Sequence, residues 1–493
     1  MSRHDEIAEL LDRAGPGRVT DSAYDTGWLA RLGDADADLS DGALEWLRRN
    51  QLPDGAWGAP HLGYHHDRLI CTLSAATALA RNGDATDRSR IDRAAAVLPS
   101  DLKSLADDAA GETIGFELLA PALLTEAREL GVVGGEVDAV LADLRAERDR
   151  KLAKVPAGHI DNRTSLAHSA EMAGSDAAHL VDADNLLSHN GSVGFSPAAT
   201  AWHAAATGTG LDYLRASAGA DGGVPNVGPI NVFESAWTLF NTALTGFGGS
   251  PGRDRLLAFV ARSWTPGRGV SFGAGFRPED GDDTAVATEV LAGAGRPVDL
   301  DALLSYSGAD YFHCWPTERN PSTSTNVHAL GALRAAGLGQ DHPEVAKVLR
   351  YLAATQDPAG SWIDKWHVSP YYATAHALLA GAGLRHDAFA GALDWVSRTQ
   401  RADGSWGFYL PTAEETAYCL QALTLAHRQG DPVPADAIRR GHTWLAAHAA
   451  DPHPWLWIGK CLYSPDVVVD SAVLSALALV EEADLARPVG VGR

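Results

Sequence analysis

Gln51-Leu52-Pro53-Asp54-Gly55-Ala56-Trp57, Gln356-Asp357-Pro358-Ala359-Gly360-Ser361-Trp362 and Gln400-Arg401-Ala402-Asp403-Gly404-Ser405-Trp406 share one form, Q-x-x-x-G-[AS]-W. The second and third begin 44 residues apart, the length of one helical hairpin with its loops. The Gly permits a tight turn, the Gln amide is placed to cap a neighbouring helix end, and the Trp to stack over that amide and bury its ring between hairpins. A degenerate stretch from His189 to Phe195 reads as a further turn of this kind. Three matching turns at helix-pair spacing predict repeated α-hairpins closed into α-barrels.

The rest of the chain agrees. Ala and Leu recur at three- and four-residue intervals, as in 70–82 and 137–155, while period-two alternation is scarce. Gly, Pro and Asp clusters interrupt these runs every dozen or two dozen residues, so the fold class is all-α. With 493 residues, two domains are expected. The 40 basic and 63 acidic residues leave a net charge of −23 with no basic stripe, which excludes nucleic acid as a partner. Any anionic ligand then needs a local cationic site or a metal, and Mg2+ carried in by a diphosphate suits such a surface. Cys71, Cys314, Cys419 and Cys461 lack zinc-site spacing, and neither a signal peptide nor a membrane span is evident. A cytoplasmic protein is expected.

Asp280-Gly281-Asp282-Asp283-Thr284-Ala285 crowds three carboxyls into four residues ahead of an apolar helical pattern. Taken alone, Asp residues there cap a helix or bind a metal. Crowding and burial also disfavour ionisation, so one carboxyl of the group can keep a proton near neutral pH and donate it.

Together these motifs resemble the class II terpene cyclases, specifically the two-domain bacterial diterpene cyclases. The repeats are similar to that superfamily's QW motifs and the acidic run to its D-x-D-D-T-A signature. Asp21-Ser22-Ala23-Tyr24-Asp25-Thr26-Gly27-Trp28 resembles a segment of copalyl diphosphate synthases, with Gly27 in place of Ala. Segments at Asp67-Arg68, Ile114 to Glu117, Lys151 to Pro156, Phe195 to Thr200 and Gly222 to Val227 follow in the family's order.

The resemblance implies two (α/α) barrels, the βγ arrangement. Residues 1–25 would supply an N-terminal helix of the catalytic β barrel, 26–248 an inserted γ barrel, and 249–493 the remainder of the catalytic barrel with the D-x-D-D motif. The Gly246 to Gly252 stretch marks the boundary by composition. It implies that Asp282 is the general acid that protonates an alkene, with Asp280 and Asp283 orienting and tuning it as one coupled set. His168 and Asn226 would hold the water that removes the last proton. Glu117 would bind Mg2+, with Asp107 and Asp108 in the place of an acidic loop, although Ala106 departs from the expected pattern and a solvated loop is the competing reading. Lys154 would face the diphosphate. Trp315, Trp366, Tyr371 and Tyr372 are candidate cavity aromatics for cation-π contact, whereas Trp362 and Trp406 belong to the turns.

No D-D-x-x-[DE] run occurs, so the diphosphate should be retained. The expected partner is a polyprenyl diphosphate, geranylgeranyl diphosphate first, with a second copy of the chain in a homodimer as a further partner. The leading expectation is an isomerase forming ent-copalyl diphosphate. Drimenyl diphosphate from farnesyl diphosphate, a rearranged labdane or halimane diphosphate, and a non-catalytic α-toroid scaffold stay open.

Overall fold

The computed structural model describes residues 2–486 apart from Ser175, Thr317 and Arg319. Nearly every described element is a helix, beside one antiparallel hairpin pairing Trp457–Ile458 with Leu462–Tyr463. Helices start where short polar side chains stop the chain from continuing straight. Ser22, Ser196, Ser250, Asp280, Ser322 and Thr412 each accept the backbone N–H three residues on.

Six helices form the larger ring. Asn231–Ala243, Gly281–Gly293, Thr323–Ala335, Pro370–Ala380, Ala413–Arg428 and Asp466–Glu482 pack in succession, and the last returns to the first. Pro251–Arg262, Pro343–Thr355, Asp387–Arg398 and Ala435–His448 lie outside it, as does the N-terminal Arg3–Arg13. The smaller ring closes through Ala23–Leu29, His65–Asn82, Phe116–Glu129, the 3-10 segment Ser165–Ala173 and Pro197–Thr207. Inner helices are enclosed by their neighbours, so they are buried around most of their circumference; Thr323–Ala335 is buried from Thr323 through Leu333. Among the described residues no helix is long and apolar enough to cross a membrane.

The cores correct the expected boundaries. One core runs from Ala23 to Val224 and includes Cys461, while the other combines Ile7, Leu11 and Ala14 with residues from Val227 to Val480. Asn231–Ala243 therefore belongs to the larger barrel, and the inserted barrel ends before 248. The glycine-rich Gly246 to Gly252 stretch joins an inner helix to an outer one within a single barrel; its composition marks a turn, which a barrel needs at every hairpin. Ala23–Leu29 is likewise an inner helix of the inserted barrel, so the first crossing comes before residue 25.

The three Q-to-W turns carry the same set of bonds. Gln51, Gln356 and Gln400 each donate from Nε2 to the carbonyl of the turn glycine, at 2.8, 2.8 and 2.9 Å, and to a carbonyl in the first turn of the next outer helix. The indole Nε1 of Trp57, Trp362 and Trp406 donates to a carbonyl ten residues earlier. Gly55, Gly360 and Gly404 have φ near +100°, where a Cβ would be strained and would meet the next helix's backbone. A second clamp follows: the N–H of each Trp donates to Thr72, Thr374 or Thr416 on the succeeding inner helix. Val193 donates to Thr200 in the same way, and Ser188 N–H meets Ser192 O as Leu52 meets Ala56. The degenerate turn is therefore present, with Leu187 in the Gln place and Val193 in the Trp place, rather than Phe195.

Candidate functional site

Asp280 caps the Gly281–Gly293 helix, its Oδ1 accepting the N–H of Asp283 at 2.8 Å. The capping reading thus holds for this carboxyl while its neighbours are free for other work. Burial pushes Asp280 up to about 7, and burial with the charges of Asp280 and Asp282 pushes Asp283 well above the usual carboxyl range. Among the described residues Asp283 Oδ1 has no partner. Asp280 and Asp283 consequently hold their protons to higher pH than a free carboxyl does.

Asp282 is held by two side chains of the adjacent inner helix Thr323–Ala335. Its Oδ1 lies 2.6 Å from Nδ1 of His328, and its Oδ2 lies 3.4 Å from the Ser324 hydroxyl. His328 Nε2 is 2.9 Å from Nδ1 of His376 on the next helix. Asp364 receives Ser324 Oγ at 2.9 Å and so orients that hydroxyl. Sequence reading missed His328 and His376, since a histidine within an apolar helix resembles any core residue. The signal was their spacing, 46 residues from Asp282 to His328 and 48 from His328 to His376, close to one hairpin repeat per step.

Asp280, Asp282 and Asp283 face a largely apolar cavity of about 300 Å³ between the barrels. That is small for a ligand pocket, so a long chain entering it must coil. Trp315, Trp366 and Tyr372 line it as expected, with the first two rings edge to face at 5.6 Å. Phe233, Phe272, Phe276 and Trp457 add aromatic wall that sequence motifs did not single out. Tyr371 is a correction: its ring packs on Trp395 at 4.6 Å inside the larger barrel's core, because adjacent residues on a helix point about 100° apart.

His168 lies on the cavity wall contributed by the inserted barrel, in the Ser165–Ala173 segment. Its Nδ1 is 2.8 Å from the carbonyl of Gly194, which can only accept, so the ring proton sits on Nδ1 and Nε2 keeps a lone pair. Burial first, and the Lys460 charge second, hold it down at about 3, so it is neutral. Lys460 reaches across from the hairpin of the larger barrel and donates to His168 O at 3.0 Å and Glu171 at 2.7 Å. Asn226 is placed otherwise than expected. Its Nδ2 donates to Cys461 O at 3.0 Å, and a Cβ added to cavity-lining Gly459 would approach that Nδ2 to 2.5 Å. Asn226 stands behind Gly459, with its Oδ1 unpartnered among the described residues.

With this geometry in hand, the comparisons with known proteins are decisive. Residues 318–456 match the family model described as squalene-hopene cyclase C-terminal domain. The chain is 40% identical over 499 residues to a protein named type B diterpene cyclase from Mycobacterium tuberculosis, covering 96% of this chain and 99% of that one. The chain belongs to the class II diterpene cyclases. It is 37% identical over 467 residues to an ent-copalyl diphosphate synthase of a Streptomyces species, covering 89% and 88% of the two. Its fold is similar to that of ent-copalyl diphosphate synthase from Streptomyces platensis, with a TM-score of 0.78, 34% identity and 97% and 99% coverage. Members of this family are cyclising enzymes.

Other expected site residues of this class II diterpene cyclase separate into two groups. Glu117 lines the cavity from the first turn of Phe116–Glu129. Asp108 is a correction: its oxygens accept the N–H groups of His65 and His66 and pair with His66 Nδ1 at 2.7 Å, capping the His65–Asn82 helix. Asp107 is exposed and does not line the cavity. Lys154 is exposed as well, whereas Lys151, one turn earlier, sits 3.0 Å from Glu117. Near Glu117, burial first and the Glu117 charge next hold Glu112 above its ordinary range. Glu117 offers a carboxylate oxygen at the cavity wall, the hard donor that a divalent cation prefers.

Proposed function

We propose that the chain cyclises geranylgeranyl diphosphate to a bicyclic diphosphate, ent-copalyl diphosphate first, with the diphosphate retained. One observation carries the reading: a single apolar cavity holds a proton-retaining carboxyl cluster and a neutral histidine whose free nitrogen lacks a partner in its own segment. Asp282 gives a proton to the terminal alkene; the π electrons form the new C–H bond and the O–H pair stays on the carboxylate. His328 donates to that carboxylate as its charge develops, which favours the transition state over the bound substrate. Trp315, Trp366, Phe272 and Phe276 supply negative ring faces to the migrating cation and exclude water. A carbocation is a very strong acid, so a base as weak as His168 suffices to end the reaction through a water it orients.

Glu117, with Glu112 beside it, would hold Mg2+, and the ion would supply positive charge against the diphosphate. Lys151 is the nearer lysine for the diphosphate. A second product, a differently rearranged labdane or halimane diphosphate, is supported by 34% identity over 523 residues to a labda-7,13-dienyl diphosphate synthase of Streptomyces clavuligerus.

The test is incubation with Mg2+ and, separately, farnesyl and geranylgeranyl diphosphates, followed by dephosphorylation and chiral chromatography with mass spectrometry. Ent-copalol from the twenty-carbon substrate is expected. Another bicyclic alcohol would select the second product, a farnesyl-derived product alone would change the chain length, and no conversion would sink the enzyme reading. His168→Ala should still consume substrate and yield a hydroxylated product.

A further inference from the structure

Three inner helices of the larger barrel place Asp282, His328 and His376 in one hydrogen-bonded line, with contacts of 2.6 and 2.9 Å. The line ends at His376: its Nε2 is buried and meets no donor or acceptor among the described residues. Burial, the largest cause, holds His376 well below the usual histidine range, so its ring is neutral and carries one proton. That proton belongs on Nδ1, the nitrogen with a partner, since placing it on Nε2 would leave a buried donor unpaired. His376 Nδ1–H then donates to His328 Nε2. With its Nε2 accepting, His328 has only Nδ1 on which to carry a ring proton, and that N–H points at Asp282 Oδ1.

We propose that His376 is a positioning residue for the acid, fixing the tautomer of His328 so that Oδ1 of Asp282 accepts a hydrogen bond and Oδ2 holds the proton to be given to the alkene. The opposite tautomer would present a lone pair to Oδ1. Asp282 would then donate its own proton to His328, and the acid would be turned away from its substrate. The consequence resembles any acid–base pair held in the wrong tautomer: binding survives and turnover falls. When the Oδ2–H bond breaks, the proton goes to the alkene carbon, the electron pair stays on the carboxylate, and the His328 N–H bond to Oδ1 becomes charge-assisted.

The inference rests on the cyclase reading, and the test separates the two. Turnover of geranylgeranyl diphosphate is measured for wild type, H376F, H376Q, H328F and the H328F/H376F pair, with Tm recorded for each. H376F keeps a flat ring and removes the donor; H376M is measured in parallel should the phenyl ring unfold the barrel. We expect kcat to fall roughly 10- to 100-fold in either, with KM within about twofold of wild type. H376Q, whose amide N–H can replace Nδ1–H, should recover to within about threefold of wild type at a Tm no higher than that of H376F. Adding H376F to H328F should cost nothing further. An unchanged kcat in H376F, a glutamine as poor as phenylalanine, or additive losses in the pair would each overturn the inference. A wild-type protein inert toward both prenyl diphosphates would overturn the cyclase reading instead.

Discussion

The Asp282 end and the His168 end of the cavity come from different barrels, and burial acts on them in opposite directions. Burial disfavours charge, so Asp280 and Asp283 beside Asp282 keep their protons while His168 loses its own. One physical cause thus makes a donor at one end and an acceptor at the other. The supports differ as well. The acid sits in a network of side chains from neighbouring helices of one ring. The base is fixed through backbone: its ring by Gly194 O and its own carbonyl by Lys460 of the other barrel. Turnover should be sensitive at the first end, and domain register at the second.

The sharpest break is Asp282→Asn, which should lower kcat by about 10³-fold with KM and Tm little changed, measured by product formation and thermal melting. Lys460→Met strikes the other end. It leaves Glu171 and Asp25 buried without their cation, so a loss of about 3 to 5 kcal/mol in denaturant melts is expected. A stable Lys460→Met protein would show that the barrels are registered by their apolar contact alone.

The opposed shifts give opposed pH dependences. A carboxyl raised to about 7 in the fold contributes fully below its usual 3.8, and that contribution is lost as pH rises through about 7. His168, held at about 3, contributes above its usual 6.5 and loses that contribution as pH falls through about 3. Tm scans should therefore flatten above pH 4 in Asp280→Asn and below pH 6.5 in His168→Gln. Asp25 and Glu289, each also raised to about 7, leave the first flattening partial. Equal slopes in wild type and Asp280→Asn would remove the assignment. The smallest effect is expected from Gly459→Ala, whose Cβ must displace Asn226 Nδ2. We expect about 1 to 3 kcal/mol of destabilisation and an altered product ratio.

Much of this was legible where one residue does one local job. The Q-to-W turns, the polar helix starts and the acidic run carry their reasons within a few residues. The barrel boundary was not, because glycine-rich turns occur both inside and between barrels and only the core shows which helix faces which. Asp108 and Lys154 fail for a related reason: an acidic loop or a basic helix end has the same composition whether it caps a helix, meets solvent or faces a ligand. His328 and His376 needed the repeat length as well as the residue type.

The clamp from turn to inner helix gives four of the six inner helices of the larger barrel a common address. Val270, Phe312, Trp362 and Trp406 donate their N–H to Thr284, Asn326, Thr374 and Thr416 in turn. Two residues before these acceptors stand Asp282, Ser324, Tyr372 and Glu414; two after stand Val286, His328, His376 and Tyr418. The acid thus occupies a seat that four successive inner helices provide, and its distinction lies in who sits beside it. Loops on the outer side are free to grow or shrink, but one residue gained or lost between clamp and seat would turn that seat by about a quarter of a circle. Such a barrel is able to acquire new chemistry by changing occupants and is barred from doing so by changing length.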